Sequence, residues 1–379
     1  TWDLQPLANA KAYMQSVLGV SKGEAERILG RCIERRFTAV SVPFQPEMLD
    51  NRRWNRGAAQ FSCLPANDEE PQHPYWDIVL QHIGEDLDQD IRAHEWCRSS
   101  NIRSGADYLF NWIACLLANP FIRLPYLGLY GPEDSGKSIF HEAISLLVTN
   151  GVTPAKRALL DPNGFNGELE NNILCYVEEV DLSKGPQARN RMKDWTTAEV
   201  LDIRRMRTDQ YTVPNVTHWV QCANSLSYFP VWPGDSRMTL IHVPKPTAPI
   251  PKLQLLDTLK AEAPHFMATL KSLTLPKPFS RLWLPPIETD QKSAQADQVA
   301  PMAIFVRERC RLHPDARVGR TQLRFAYNIW AEGEDFPTLS HKVFFPTLLE
   351  LTAGTVHPRG KVNIKGKDVD AYRGIELIK

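Results

Sequence analysis

Apolar residues recur at helical spacing from the start of the chain, and Ala10, Met14, Val17 and Leu18 predict helix within residues 1–45. The period is lost from Asn51-Arg-Arg-Trp-Asn55 to about Pro74, which reads as irregular, and returns between Tyr75 and Asn119. Inside that region, Tyr108-Leu-Phe-Asn-Trp-Ile-Ala-Cys-Leu-Leu-Ala118 is apolar nearly all round, which predicts a buried helix. Asn119-Pro120 ends it, because a residue before proline avoids the α region. From 125 to 245 short apolar runs alternate with helical patterns, as an α/β core requires. Pro244 to Pro251 holds four prolines in eight residues and reads as a linker or a stiff turn. A helical pattern from Lys252 to Leu270 is expected to break or kink near Pro264. The proline-rich stretch from Pro276 to Pro286 and the polar Gln291–Gln298 predict a domain boundary, after which residues 300–379 form a small unit.

Composition narrows the function classes. At 379 residues the chain is long enough for two or three domains with real cores. Lys plus Arg and Asp plus Glu are both 44, so any contact with nucleic acid must be local rather than a global basic field. No run approaches the roughly 18 uncharged apolar residues of a membrane span. Thr1-Trp-Asp-Leu4 lacks the basic start and apolar region of a signal peptide, and a start without Met is compatible with a piece of a longer chain. Seven dispersed cysteines without a C-x-x-C pair read as reduced thiols of a cytoplasmic protein, not a disulfide frame or zinc site.

The chemistry begins at Gly131-Pro-Glu-Asp-Ser-Gly-Lys-Ser138, which fits G-x-x-x-x-G-K-[ST]. A short strand, Leu127–Tyr130, precedes it, and a helix striped by Ile139, Ala143, Leu146 and Leu147 follows. Gly131, Ser135 and Gly136 let the backbone wrap phosphates at a helix N-terminus. Lys137 is expected to reach the β- and γ-phosphates of ATP, and the Ser138 hydroxyl to hold Mg²⁺. The apolar run Ile173-Leu-Cys-Tyr-Val177 delivers Glu178 and Glu179, with the first expected on the metal side and the second on the attacking water. A second buried run, His218–Ala223, ends at Asn224, an amide placed for the γ-phosphate or the water. Read alone, an acidic dipeptide is an ordinary exposed strand end and an asparagine an ordinary turn former. Their order after a phosphate loop favours a nucleotide site.

That order and spacing resemble the superfamily 3 helicases, a branch of the AAA+ ATPases. More narrowly, the chain resembles the helicase part of phage and plasmid primase–helicase proteins, over about residues 75–245. The likeness is carried by Tyr108–Pro120, by Phe165-Asn-Gly-Glu-Leu-Glu-Asn-Asn-Ile173 and Lys193-Asp-Trp-Thr-Thr197, and by Gly234-Asp-Ser-Arg-Met238. Lys137 and Ser138 then match Walker A, Glu178 and Glu179 match Walker B, and Asn224 matches the motif-C asparagine, here preceded by Ala223 where serine is more usual. The resemblance makes Arg237 an arginine finger reaching a neighbouring subunit's nucleotide, which implies a homo-oligomeric ring, a hexamer in the family. It also makes Asp202–Tyr211 a hairpin that grips single-stranded or forked DNA through Arg204, Arg205 and Arg207, two of which would share a strand face. Lys193 falls at a family-like position too.

Residues 300–379 resemble the winged helix of the same group. Helices at Ala303–Cys310, Thr321–Trp330 and Ser340–Leu351 precede a basic wing, with Ser340 as N-cap and Pro346 as an awkward interior residue. Lys342 is then expected in a major groove and Arg359 and Lys361 on phosphates. Taken together, the expected fold is α/β: an N-terminal linker and helical collar (1–119), a P-loop AAA+ core (120–290) and a winged-helix domain (296–379). The expected function is an ATP- and Mg²⁺-dependent replicative DNA helicase of a phage or mobile element, unwinding 3′→5′ in the cytoplasm of a bacterial cell or phage-infected host, with a primase or polymerase as further partners and no membrane. Two alternatives stand beside it, a nucleotide-switched origin-binding initiator and an ATPase that remodels DNA without unwinding it.

Overall fold

The computed structural model describes residues 7–34, 37–182, 186–231, 235–298, 301–334, 336–352, 355–364 and 367–378. At its centre lies a five-stranded parallel sheet of β4 (Tyr126–Tyr130), β5 (Val152–Pro154), β6 (Leu174–Glu178), β9 (His218–Ala223) and β10 (Met238–His242). These follow three short N-terminal strands and enclose a hairpin, β7 (Val200–Ile203) and β8 (Tyr211–Pro214). The sheet order is β10-β4-β9-β6-β5, with every pairing parallel. All six residues of β9 are buried, as expected of a strand covered on both faces.

Side-chain alternation divides the sheet between two cores. Leu127, Leu129, Val220 and Cys222 join one apolar cluster, while Tyr126, Trp219 and Ala223 join the other. The first cluster is completed by the helices Pro74–Gly84, Gly105–Ala118, Ile139–Leu147 and Lys252–Ser272. The expected boundary at 119 therefore falls within one continuous core. Trp76 ties it together, donating its indole N–H to the Leu259 carbonyl at 2.9 Å and stacking on Phe266 with ring centroids 4.0 Å apart.

The helix Gly105–Ala118 starts where Ser104 and Asp107 cap each other's backbone N–H groups, and ten of its residues are buried. Its first residue touches Gly84 so closely that a Cβ on Gly105 would lie 1.9 Å from the Gly84 carbonyl oxygen. The helix Lys252–Ser272 runs unbroken through Pro264, contrary to the expected break, and the Pro264 carbonyl accepts the Ala66 N–H from outside. The polar stretch read as a boundary is a helix, Asp290–Gln298, docked on the second core through Ala296. Its buried Lys292 donates to the Asp235 carbonyl and to Glu288.

At the N-terminus, the helices Leu7–Ser16 and Lys22–Glu34 are followed not by more helix but by a small sheet of β1 (Thr38–Val40), β2 (Met48–Leu49) and β3 (Arg53–Asn55). The Asn55 amide closes it, donating to the carbonyls of Val42 and Gln45 and accepting from the Val42 N–H. The C-terminal unit runs helix Pro301–Arg309, β11 (Cys310–Gly319), helices Arg320–Gly333 and His341–Leu351, then β12 (His357–Ile364) and β13 (Lys367–Leu377). The strands form an antiparallel sheet ordered β11-β13-β12 around an aromatic core of Phe305, Tyr327, Trp330, Phe344 and Tyr372. β11 begins at Cys310, where a helical residue was expected. Pro346 is accommodated within its helix, and the Ser340 carbonyl accepts the Val343 and Phe344 N–H groups. This unit meets the core where the Arg189 guanidinium lies 4.3 Å over the Phe336 ring.

Candidate nucleotide site

Parallel register brings the expected residues to one edge of the sheet. Tyr130 at the end of β4 pairs with Ala223 at the end of β9, and Glu178 at the end of β6 pairs with Cys222. Gly131–Ser138, Glu178, Glu179 and Asn224 therefore all leave the carboxyl ends of neighbouring strands, where open α/β sheets bind ligands. Gly131 is required by close approach, since a Cβ there would sit 2.1 Å from the Val243 carbonyl oxygen. Gly136 takes φ +85°, a left-handed conformation that glycine adopts freely.

The Lys137 ammonium turns back into the loop. It donates to the carbonyls of Gly131 and Pro132 at 2.9 and 2.8 Å, to Ser135 Oγ at 3.3 Å and to Asn224 Oδ1 at 3.1 Å. Burial lowers its pKa, and the neighbouring Glu179 carboxylate works the other way. The loop thus already directs a cation and the Asn224 amide at one point.

The two acids separate. Burial works to raise the Glu178 pKa, but hydrogen bonds from Ser138 and His141 outweigh it and hold the carboxyl below its ordinary value. His141 Nε2 lies 3.1 Å from Glu178 Oε1, and its ring stacks on Tyr176 with centroids 4.1 Å apart. Burial keeps the His141 pKa low despite that carboxylate. Glu179 instead lines the cavity beside Asn224, and its backbone is left-handed at φ +50°, an uncommon state for a non-glycine residue. Its N–H donates to the Cys222 carbonyl at 3.0 Å, which fixes that turn.

A hydroxyl and a carboxylate in contact suit a hard cation such as magnesium, which takes one or two protein oxygens and fills its shell with phosphate and water. Among the described residues no group of three or more His, Cys, Asp or Glu side chains is placed to hold a metal by itself. The cavity in front of the loop holds about 600 Å³, within the range of small-molecule sites. His141, Tyr176 and His82 were not singled out in the sequence. His141 had a signal, standing three residues after Ser138 on the same face of the helix. His82, whose Nε2 lies 2.9 Å from the Ser135 carbonyl oxygen, had none.

Other expected residues lie elsewhere. Arg237 immediately precedes β10, whose first residue pairs with Tyr126, so it lies level with Pro125 at the opposite edge of the sheet from the loop, six residues and about 20 Å from Gly131 at ~3.3 Å per residue along β4. It contacts Asp235, and its buried Nε has no hydrogen-bond partner among the described residues. Lys193 is close to it, and burial first and Arg237 second lower the Lys193 pKa. Arg204, Arg205 and Arg207 occupy the loop between β7 and β8 rather than the strands, so no strand face is shared. Arg204 covers the Phe165 ring and donates to the Asn163 carbonyl, and Arg205 pairs with Glu170. Lys342 is exposed near the start of its helix. The backbones of Arg359 and Lys361 lie in β12, and their side chains, like all of Gly234, lie outside the described residues.

The class defined so far is a mixed α/β protein with a parallel five-stranded sheet and a P-loop-like turn at its carboxyl edge. Residues 129–237 match a family of unknown function, DUF5906. No curated protein is matched by the sequence. Among solved structures, the chain is similar to the apo C-terminal region of NrS-1, at 13% identity and TM-score 0.54 over 94% of this chain and 91% of that one. A second apo structure of that region, spanning residues 305–718, matches equally. The JCV helicase bound to a thiazolopyridine compound is also matched, at 14% identity and TM-score 0.31 over 52% of this chain and 53% of that one, a likeness too weak to carry an argument. The chain shares the fold of the NrS-1 region nearly end to end. No helix among the described residues is long and apolar enough to cross a membrane.

Proposed function

We propose that the protein is an ATP-driven, ring-forming DNA helicase of the superfamily 3 type, serving replication of a phage or mobile element, with 3′→5′ polarity. The observation that carries this reading is the division of its residues between two edges of one sheet. Lys137, Ser138, Glu178, Glu179 and Asn224 gather at the carboxyl edge, while Arg237 stands at the other. An arginine there cannot serve its own subunit's phosphates, but a head-to-tail neighbour in a ring presents it to the next site.

The sheet order supports the AAA+ assignment: counted along the chain, the five core strands run fifth, first, fourth, third, second. Magnesium bound at Ser138 and Glu178 would supply charge neutralisation on the β- and γ-phosphates. Lys137 leaves the loop carbonyls to meet the same phosphates. Glu179 accepts a proton from the attacking water and Asn224 orients it. Arg237 of the adjoining subunit stabilises charge on the transferred phosphoryl group, an effect worth about 10³-fold or more. The helix–strand–helix–helix–strand–strand order of the C-terminal unit supports a winged helix, with Lys342, Arg359 and Lys361 on duplex DNA. Arg204, Arg205 and Arg207 on the β7–β8 loop are suited to backbone phosphates of a threaded strand.

The test uses subunit mixing. Lys137→Ala destroys a subunit's own loop but leaves its arginine, and Arg237→Ala does the reverse. Each variant alone should lose DNA-stimulated ATP hydrolysis and strand displacement on forked DNA, and mixing the two should restore part of the hydrolysis. Absence of any recovery in co-assembled mixtures sinks the shared site. Hydrolysis without strand displacement leaves the remodelling ATPase standing, and sequence-specific duplex binding without turnover leaves the initiator.

A further inference from the structure

We infer that the apolar half of the cavity beside the phosphate loop is a nucleobase slot that accepts nucleoside triphosphates without selecting among bases. The inference rests on the nucleotide reading of Gly131–Ser138. Beyond the loop, the cavity is lined by Ile78, Val79 and Ile83 of the helix Pro74–Gly84 and by Pro246, Ala248 and Pro249 of the segment after β10. That segment is the proline-dense stretch Pro244 to Pro251, whose role the sequence left open between linker and stiff turn. Two of its lining residues are prolines, which hold the backbone rigid and offer no N–H to a base edge.

Among the described residues, the polar side chains lining this half are His82 and Lys252, and both are engaged. His82 Nε2 lies 2.9 Å from the Ser135 carbonyl oxygen, and Lys252 donates to Glu142 at 2.6 Å. Glu133 and Asp134 line the cavity from the phosphate loop itself. A slot of this kind gains from burying a flat ring between aliphatic walls, a gain common to all four bases. Strong selection arises when a wrong ligand leaves buried polar groups of the site unpaired, and here few such groups face the ring.

Ala248 is exposed and lines the slot, so Ala248→Trp fills it without entering a core. Calorimetry with ADP, GDP, CDP, UDP and tripolyphosphate, each with magnesium, on wild type, Ala248→Trp and Lys137→Ala tests the inference. Wild-type affinities for the four diphosphates should agree within about tenfold, the scale of apolar discrimination. Ala248→Trp should weaken all four by about tenfold or more and leave tripolyphosphate binding unchanged, while Lys137→Ala weakens every ligand. A spread among bases beyond tenfold overturns the lack of selection. Unchanged nucleotide affinity in Ala248→Trp, with Lys137→Ala still defective, overturns the slot and leaves the phosphate site intact. Wild type that binds neither nucleotide nor tripolyphosphate fails the phosphate reading itself.

Discussion

Two histidines show how much a single buried ring can decide. His141 holds Glu178 in place, with one face against Tyr176 and Nε2 on the carboxylate. Partners that orient a metal-side ligand are commonly worth 10–100-fold. His141→Ala is therefore expected to lower kcat for ATP hydrolysis about tenfold while ADP affinity measured by calorimetry stays put, and His141→Gln to recover part of the loss. Equal loss of binding and turnover would make the residue merely structural. His218 lies at the far end of β9, its ring nitrogens 3.1 Å from the Ile173 carbonyl oxygen and 2.9 Å from that of Ile122. A neutral ring donates to only one of these, yet burial, joined by the charge of Arg123, outweighs both and lowers the pKa from 6.5 to about 4. The unfolded chain thus binds a proton that the folded one refuses. This contribution to stability is complete above pH 6.5 and is lost as pH falls toward 4, amounting to about 3 kcal/mol at 1.36 kcal/mol per unit over 2.5 units. The thermal midpoint should fall through that window, and His218→Gln, already less stable at neutral pH, should show a shallower fall. What each ring meets was not legible beforehand: His141 is spaced from Ser138 along its helix and His218 opens an apolar run, but their carboxylate and carbonyl partners come from elements distant in sequence, whereas Lys137 and Glu178 announce themselves by local pattern.

Elements were legible where one period dominates. The run before Glu178 and the run before Asn224 are continuous and apolar, and both are strands to within a residue of expectation. β11 escaped because Cys310 completes the helical pattern before it and Pro314 interrupts the alternation of Arg311, His313, Asp315 and Arg317, and its pairing with β13 lies some sixty residues on. Likewise Thr38–Val40 is too short to compete with a helical period, and only Arg53–Asn55 makes it a strand. Helix Lys252–Ser272 survives Pro264 because Phe266, Met267 and Leu270 are buried in the first core, and packing outweighs one missing backbone bond. The crossing of Pro74–Gly84 with Gly105–Ala118 was invisible for a different reason, since two glycines far apart in sequence signal nothing until they touch. Gly105→Ala should push these helices apart and cost about 2–3 kcal/mol, read as a lower denaturation midpoint with unchanged slope. Wild-type stability in this variant would mean that the helices separate freely. Gly23, with open space where its Cβ would sit, is the control and should show no comparable loss when changed to Ala.

At the scale of the whole molecule, the expected layout of collar, core and C-terminal unit is less a row of domains than a core with attachments. The helices Pro74–Gly84 and Gly105–Ala118 share apolar contacts with β4 and with Lys252–Ser272, so the phosphate loop is braced from the N-terminal side. His82 completes that brace by meeting the loop at Ser135. On the other face, the helix Pro186–Thr197 carries Arg189 to the Phe336 ring and Lys193 to the neighbourhood of Arg237. The C-terminal unit is thereby joined to the edge of the sheet that faces away from the loop. A subunit built this way holds the two parts of its proposed active centre at opposite edges of the sheet. Hydrolysis per subunit must then depend on assembly. ATP turnover divided by protein concentration should rise through the assembly range and level off above it, in step with the oligomer fraction from sedimentation. Arg237→Ala should assemble over the same range yet stay at the low, dilute-limit rate. A wild-type rate per subunit that is constant from the dissociated to the assembled protein would place the whole active centre within one chain, and Arg237 would then be an ordinary partner of Asp235.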